Sequence, residues 1–198
     1  MHEGLPIFRI QEAILEFCRD QPDIAIFGAQ AVNLYVSDPR MTQDVDLLCA
    51  SPESVARALA RRLGDLFHIA VRVRDLRPGK AYRVFQIRSE GNRHLADVRL
   101  AEFPLTDLVE RDGVRYVSLP VLTALKVSAI VRRRMAPKGA TDLADLRRIL
   151  LAHPELREAD GAVANAIRAL GGGELERQQW LALLAEPLVS DEESDEGY

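Results

Sequence analysis

Two closely spaced aspartates, Asp44 and Asp46, are the residues of this sequence best suited to chemistry. Side chains two positions apart on a β-strand point to the same face, so a strand here would bring both carboxylates together. Carboxylate oxygens are the ligands that Mg²⁺ prefers. Gly28 follows a short apolar run, and backbone N–H groups at such a turn into a helix can bind a phosphate. The pattern favours metal-dependent chemistry on the phosphates of a nucleotide.

A third carboxylate, Asp97, lies in an apolar strand pattern, where a charge without a partner would be unfavourable. Together with Asp44 and Asp46 it could hold two Mg²⁺ ions about 4 Å apart and accept the proton of an attacking hydroxyl as a general base. The alternative is structural: Asp44 caps a turn, and Asp97 pairs with an arginine such as Arg99. Both interpretations fit the residues.

Side chains near the turn and the aspartate pair could add ligands for phosphate. Gln30 offers an amide close to Gly28. Arg40 precedes Asp44 by four positions and could bind a phosphate or orient a carboxylate through paired hydrogen bonds. Thr42 could hydrogen-bond the loop or a carboxylate. Arg40 and Thr42 would equally suit an ordinary turn.

Two lysines of the second half of the chain are further candidates for phosphate binding. Lys126 lies in a helical pattern and could reach the terminal phosphates, or it could extend a solvated ammonium past apolar neighbours. Lys138 could support the phosphates from the adjacent loop. Asp142 and Asp145 stand at an expected helix start, where carboxylates cap the helix and complement its dipole.

The elements that must position these residues follow from the spacing of apolar side chains and from turn residues. We expect helices over residues 8–19, 29–36, 52–63, 120–134, 142–151, 159–170 and 174–185, and strands over residues 24–27, 45–49, 67–73, 81–88 and 95–100. Residues 77–80 read as a hairpin turn. The fold class predicted is α+β, a mixed β-sheet flanked by helices and followed by a helical C-terminal region.

Composition limits the classes of protein further. The net charge of −4 argues against general coating of nucleic acid, although arginines concentrate in residues 57–99 and 132–134. These basic patches could face a polyanion or simply be solvated. No run of about 18 apolar residues is present, so no membrane span is expected. Cys18 and Cys49 make no disulfide framework, and we expect a cytoplasmic protein.

The order of these motifs resembles the nucleotidyltransferase superfamily with the DNA-polymerase-β-like fold, and most closely its AbiEii-type members, which include toxins of bacterial toxin–antitoxin pairs. The resemblance covers roughly residues 22–150. It is carried by the Gly28 turn, the run Arg40-x-Thr42-x-Asp44-x-Asp46, the later Asp97, Lys126 on a helix, and Asp142-x-x-Asp145.

The resemblance implies roles for these positions. Metal ligands and catalytic residues would be Asp44, Asp46 and Asp97, and nucleotide-binding residues would be Gly28, Ala29, Gln30, Arg40, Thr42, Lys126 and Lys138. The chain departs from the family pattern twice: Ala29 stands where glycine or serine is usual, and Thr141 rather than lysine precedes Asp142.

The function implied is transfer of NMP from an NTP to a hydroxyl acceptor with Mg²⁺, with two ions. The acceptor would be RNA such as tRNA, a protein or a small molecule, and a cognate antitoxin would be a partner. The alternative is a catalytically silent module that binds or regulates. We expect a nucleotidyltransferase-like core over residues 1–118, a helical region over 119–186 and an acidic disordered tail over 187–198.

Overall fold

The computed structural model describes residues 5–19 and 21–189. Within them helices and strands alternate up to α3, five strands follow up to residue 117, and the chain then becomes helical. The elements are α1 (Ile7–Arg19), β1 (Ile24–Phe27), α2 (Gly28–Tyr35), β2 (Val45–Cys49), α3 (Pro52–Phe67), β3 (Val71–Arg77), β4 (Ala81–Gln86), β5 (Arg93–Leu100), β6 (Leu108–Arg111), β7 (Val114–Val117), α4 (Leu119–Arg132), α5 (Pro137–Ala152), α6 (Ala162–Ala169) and α7 (Glu174–Ala185). A short 3₁₀ helix, Pro154–Leu156, follows α5.

The strands of the described residues form one mixed sheet in the order β3-β4-β5-β2-β1-β7-β6. The pairs β2–β5 and β1–β7 are parallel, and the other neighbours are antiparallel. This architecture confirms the predicted α+β fold class. Among the described residues, no helix combines the length and the apolar composition that a membrane span needs.

One face of the sheet is packed against α3, which contacts strands β2 to β5. Val45, Val84 and Ala96 are buried in one row across this face, because the strand register makes them direct neighbours. Residues that alternate with them point to the opposite face. The candidate catalytic side chains lie on that opposite face.

The described residues divide into two compact units. The first contains the chain up to Ala31 together with Arg40–Val117, and it includes the sheet, α1 and α3. The second contains Val32–Pro39 and the chain from Ser118, with the single tryptophan, Trp180, buried in its core. A compact unit is not yet a domain that folds alone, so the predicted domain boundaries stay a prediction.

Several predicted elements differ from the observed ones. The strand expected over 67–73 is observed as β3 but begins only at Val71, because α3 continues to Phe67 and ends at His68 with left-handed backbone geometry (φ 52°). Strands β6 and β7 were not predicted. The helix expected from Asp142 begins at Pro137 instead, since proline suits the first turn of a helix. The expected tail lies outside the described residues from position 190 onward.

Candidate active site

The three candidate carboxylates meet on one face of the sheet. Asp46 of β2 and Asp97 of β5 are direct neighbours in the parallel register, so their side chains point the same way. Asp44 immediately precedes β2 and lies two positions from Asp46, which gives it the same orientation. Asp44, Asp97 and His94 each offer an oxygen or nitrogen atom, and these atoms lie within 4.8 Å of one another.

His94 joins two of the carboxylates through its imidazole ring. Its Nδ1 is 3.0 Å from Asp44 Oδ2, and its Nε2 is 2.9 Å from Asp97 Oδ1. A regular strand would place His94 and Asp97, three positions apart, on opposite faces. The register of β5 against β4 shifts between Val84 and Phe85, and this irregularity returns His94 to the face of Asp97.

Two arginines complete the surroundings of Asp97. Arg83 of β4 lies directly opposite Asp97, and its Nε and Nη2 donate to Oδ1 and Oδ2 at 2.9 and 3.1 Å. Arg99 Nη2 donates to Asp97 Oδ2 at 3.3 Å and lies 3.6 Å from Asp46 Oδ1. The guanidinium of Arg99 also lies 5.4 Å from the centre of the Phe27 ring. The pairing of Asp97 with an arginine such as Arg99, which the structural alternative predicted, is therefore confirmed.

This arrangement fixes the charges of the site. Burial alone would raise the pKa of Asp97, but hydrogen bonds and charge from His94 and Arg83 outweigh burial and hold this pKa well below its usual range. Burial would lower the pKa of His94, yet hydrogen bonds and charge from Asp44 and Asp97 raise it to about 9. At neutral pH the three carboxylates therefore face three cations, Arg83, His94 and Arg99.

Gly28 lies against Asp46 at the start of α2. Its φ is +69°, and a Cβ placed on it would collide with the Asp46 carboxylate. Only glycine lets the first turn of α2 pass this close. The structure thus brings the predicted phosphate turn to the predicted metal ligands within the first unit. Ala29 and Gln30 follow in the same turn.

The loop before β2 places the remaining predicted ligands of this unit. The Thr42 hydroxyl donates to the Asp44 carbonyl at 3.0 Å and lies 3.5 Å from Asp44 Oδ1. The Arg40 guanidinium donates to the carbonyl of Met41 at 3.3 Å. Thr42 therefore supports the aspartate loop, and the phosphate contacts of Thr42 and Arg40 stay predictions.

A cavity of about 640 Å³ adjoins this loop. Thr42 lines it, so the cavity reaches within a side chain's length of Asp44. Its walls also include Met41, Arg88, Asn92 and Arg93. The cavity is open to solvent, and both apolar and polar side chains line it.

Lys126 and its partners form a separate cluster inside the second unit. Lys126 is buried in α4, and its Nζ donates to Asp142 Oδ1 at 2.9 Å and to Asp145 Oδ2 at 2.6 Å. Arg133 Nη1 donates to Asp142 Oδ2 at 2.8 Å. The alternative of a solvated ammonium is wrong, because Lys126 is buried between these carboxylates. The expected helix caps are also wrong, because α5 begins a full turn before Asp142. Lys138 is exposed, and its contact with phosphate, like that of Lys126, stays a prediction.

Sequence reasoning missed Arg83 and His94. The sequence gives a weak local indication of His94, because this titratable residue stands three positions before an aspartate in an apolar strand pattern. Arg83 has none, because its contact depends on the register of β4 against β5, which no local pattern fixes.

The oxygens of Asp44 and Asp46 fit a hard divalent ion such as Mg²⁺. They lie on one face and are partly exposed, and the Asp46 carboxylate lies against Gly28 at the first turn of α2. Asp97 fits less directly, because its oxygens already accept hydrogen bonds from three cationic side chains.

Several solved structures share this fold. The chain is similar to the polyadenylate synthase of Megavirus (TM-score 0.60, 15% identity), covering 74% of this chain and 31% of that one. It is also similar to JHP933 from Helicobacter pylori (0.55, 17%, covering 92% and 89%) and to the antibiotic-resistance factor ANT(2'')-Ia (0.51, 17%, covering 88% and 93%). At such identities the likeness shows the fold alone, and this chain spans about a third of the Megavirus protein's length.

The fold and the carboxylate site define the class, a nucleotidyltransferase fold. The chain belongs to the AbiEii nucleotidyltransferase toxin family: the family model described as "Nucleotidyl transferase AbiEii toxin, Type IV TA system" matches residues 13–194. This confirms the resemblance on which the sequence-based expectations depended. None of the curated proteins that were compared matches the chain.

Proposed function

We propose that this protein is a divalent-metal-dependent nucleotidyltransferase that moves an NMP group from an NTP to a hydroxyl acceptor. The bond between the acceptor oxygen and the α-phosphorus forms, the bond from that phosphorus to the bridging oxygen breaks, and pyrophosphate leaves. The observation that carries this proposal is that Asp44, Asp46 and Asp97 point to one sheet face, where Asp44 and Asp97 cluster with His94 and Asp46 lies against Gly28.

Each residue has a role in this proposal. Asp44 and Asp46 would hold Mg²⁺, which when bound stabilises the charge that develops on the attacking and leaving oxygens. The N-terminal amides of α2, which begins at Gly28, would bind the triphosphate. Asp97 would accept the proton of the acceptor hydroxyl. Because the pKa of Asp97 is low while its cationic partners are in place, this step requires that they move away.

The family suggests a wider context for the reaction. We propose that the protein acts in the cytoplasm as the toxin of a toxin–antitoxin pair, since its family model describes such a toxin. Induced expression should then arrest growth, and the Asp46→Asn variant should not. Normal growth during expression of the active enzyme would remove the toxin role and leave the transferase proposal intact.

The transferase proposal is tested with each α-labelled NTP, Mg²⁺ and separated cellular RNA, protein and metabolite fractions as acceptors. We expect label in one fraction, and a loss of transfer by about 10³-fold or more in Asp46→Asn. Asp75→Asn, which changes an exposed aspartate of β3, is the matched control and should transfer normally. Equal transfer by Asp46→Asn and the unaltered protein would refute the proposal.

One observation favours a second candidate, a silent module that binds nucleotide without transferring it. Asp97 is already paired with Arg83, His94 and Arg99. The departure at Ala29, where glycine or serine is usual, agrees with this observation. Calorimetry with an NTP and Mg²⁺ distinguishes the candidates. Binding with no release of pyrophosphate in any acceptor fraction supports the silent module.

A further inference from the structure

Asp97 is held by more cationic groups than a metal ligand usually is. Both of its oxygens accept from Arg83, Oδ1 also faces His94 Nε2, and Oδ2 also accepts from Arg99. A carboxylate has about four acceptor positions, and these contacts use all of them. An ion can therefore reach Asp97 only if one of these partners leaves.

Arg83 is the partner best placed to leave. Asp97 lies on a central strand with its side chain only 1% exposed, whereas the Arg83 side chain is 36% exposed. The guanidinium sits at the end of a long side chain that can turn into solvent without moving β4. A change at Arg83 therefore alters the access of ligands to Asp97 while the carboxylate stays fixed.

The side chains of Asp44 and Asp46 are more exposed to an incoming ion than that of Asp97. Asp44 Oδ2 lies 3.0 Å from His94 Nδ1, and Asp46 Oδ1 lies 3.6 Å from Arg99 Nη2. The side chains of the two aspartates are nevertheless 23% and 16% exposed, against 1% for Asp97, so a hydrated ion can approach them from solvent. An ion at Asp97 would also lie in contact range of Arg83, whose positive charge repels it strongly at such short distance. The three carboxylates are therefore not equivalent toward metal.

We propose that Arg83 is a positioning residue that keeps Asp97 from binding metal, so that the resting protein binds one divalent ion, at Asp44 and Asp46. A second ion binds only when the Arg83–Asp97 pair opens. This inference rests on the proposed function, because it concerns the ion that the transfer reaction needs. It adds an order to the assembly of the active site, in which the first ion binds before Asp97 is released from Arg83. Because Asp97 accepts the proton, its late release protects a bound NTP from premature attack by water.

The test counts bound Mn²⁺, which prefers similar oxygen ligands to Mg²⁺, by electron paramagnetic resonance of the free ion during titration of the full chain. We expect one ion for the unaltered protein and two for Arg83→Gln. The double variant Arg83→Gln/Asp97→Asn should return to one ion. Arg72→Gln, which removes an exposed arginine of the neighbouring strand β3, is the charge-matched control and should bind one ion.

A second variant tests the proposal if Arg83→Gln does not fold. Asp97→Asn in the otherwise unaltered protein should keep the single ion with a Kd changed by less than about twofold. Two results would overturn the proposed role of Arg83 and leave the transferase proposal intact. One is binding of two ions by the unaltered protein, and the other is an increase of about tenfold or more in the Kd of the single ion in Asp97→Asn. Failure of the unaltered protein to bind any Mn²⁺ would overturn both.

Discussion

Gly28 is the residue where backbone conformation and chemistry depend most directly on each other. Its φ of +69° disfavours any side chain, and the Asp46 carboxylate occupies the space that a Cβ would need. For Gly28→Ala we expect a loss of about 1–2 kcal/mol of unfolding free energy from the backbone alone, with a further loss from the displaced carboxylate. Urea titration measures the stability, and Mn²⁺ titration should show weaker binding of the ion.

Gly79 provides the control for this variant. It has a similar φ of +72° in the β3–β4 turn, but a Cβ there would meet nothing within 4 Å. Gly79→Ala should therefore lose only the backbone contribution and should bind Mn²⁺ normally. Equal effects of the two substitutions on ion binding would show that the contact between Gly28 and Asp46 has no consequence for the site.

His94 makes the stability of the first unit depend on pH. Its pKa in the folded protein, about 9, lies above the ordinary value of 6.5, so folding strengthens its hold on the proton. The stabilisation is complete below about pH 6.5 and is lost as the pH rises through about 9. The free energy of unfolding should fall by up to about 3 kcal/mol over this window relative to that of His94→Gln. Unfolding curves that shift in parallel for both proteins would contradict this account of the imidazole.

At the scale of single residues, the sequence predicted the acids and one partner of Asp97, Arg99, but not Arg83 or His94. Asp44 and Asp46 could be paired because a strand has a period of two. Asp97 was conspicuous because it interrupts an apolar run. Arg83 and His94 reach Asp97 through a strand register and through an irregularity in β5, and both depend on pairing between segments that the local sequence does not specify.

At the scale of elements, the pair α4 and α5 is joined by a buried ionic cluster of Lys126 with Asp142 and Asp145. Lys126→Met would leave two buried carboxylates without their shared cation, although Arg133 still contacts Asp142. We expect a loss of about 3–5 kcal/mol in the free energy of unfolding, measured in urea by the fluorescence of Trp180 in the same unit.

Lys138→Met tests whether this effect comes from burial. Lys138 lies exposed in the first turn of α5, so the same chemical change should alter stability by less than about 0.5 kcal/mol. If the Lys126 variant is as stable as the Lys138 variant, the cluster contributes nothing to the packing of α4 on α5. A loss of nucleotide transfer without loss of stability in either variant would support the predicted phosphate contacts.

Sequence patterns predict the bounds of some elements and not of others. The apolar runs of β1 and β2 are short and buried, and their predicted bounds match the observed ones. The run Pro137-Lys138-Gly139 can end one helix or begin the next, and only packing against α4 decides in favour of the second. Strands β6 and β7 have four residues each, too few for an alternating pattern to be recognised.

At the scale of the whole molecule, the two compact units carry separate natural probes. Cys18 and Cys49 are free and buried in the first unit, where burial raises their pKa values to about 12 and about 11. Because only the thiolate reacts, we expect both thiols to react with an aromatic disulfide reagent at least about 10²-fold more slowly in the native protein than in urea. Trp180 fluorescence follows the second unit in the same samples. Rapid labelling of either thiol in the native protein would contradict the described core.

The central claim is that one face of the sheet, at Asp44 and Asp46 beside Gly28, binds the metal and the nucleotide. Anomalous diffraction from crystals grown with Mn²⁺ and a non-hydrolysable NTP analogue tests it most directly. We predict an anomalous peak about 2.2 Å from carboxylate oxygens of both Asp44 and Asp46, with the triphosphate at the first turn of α2. A nucleotide and its ion bound anywhere else on the protein, with no peak at these two aspartates, would contradict the account.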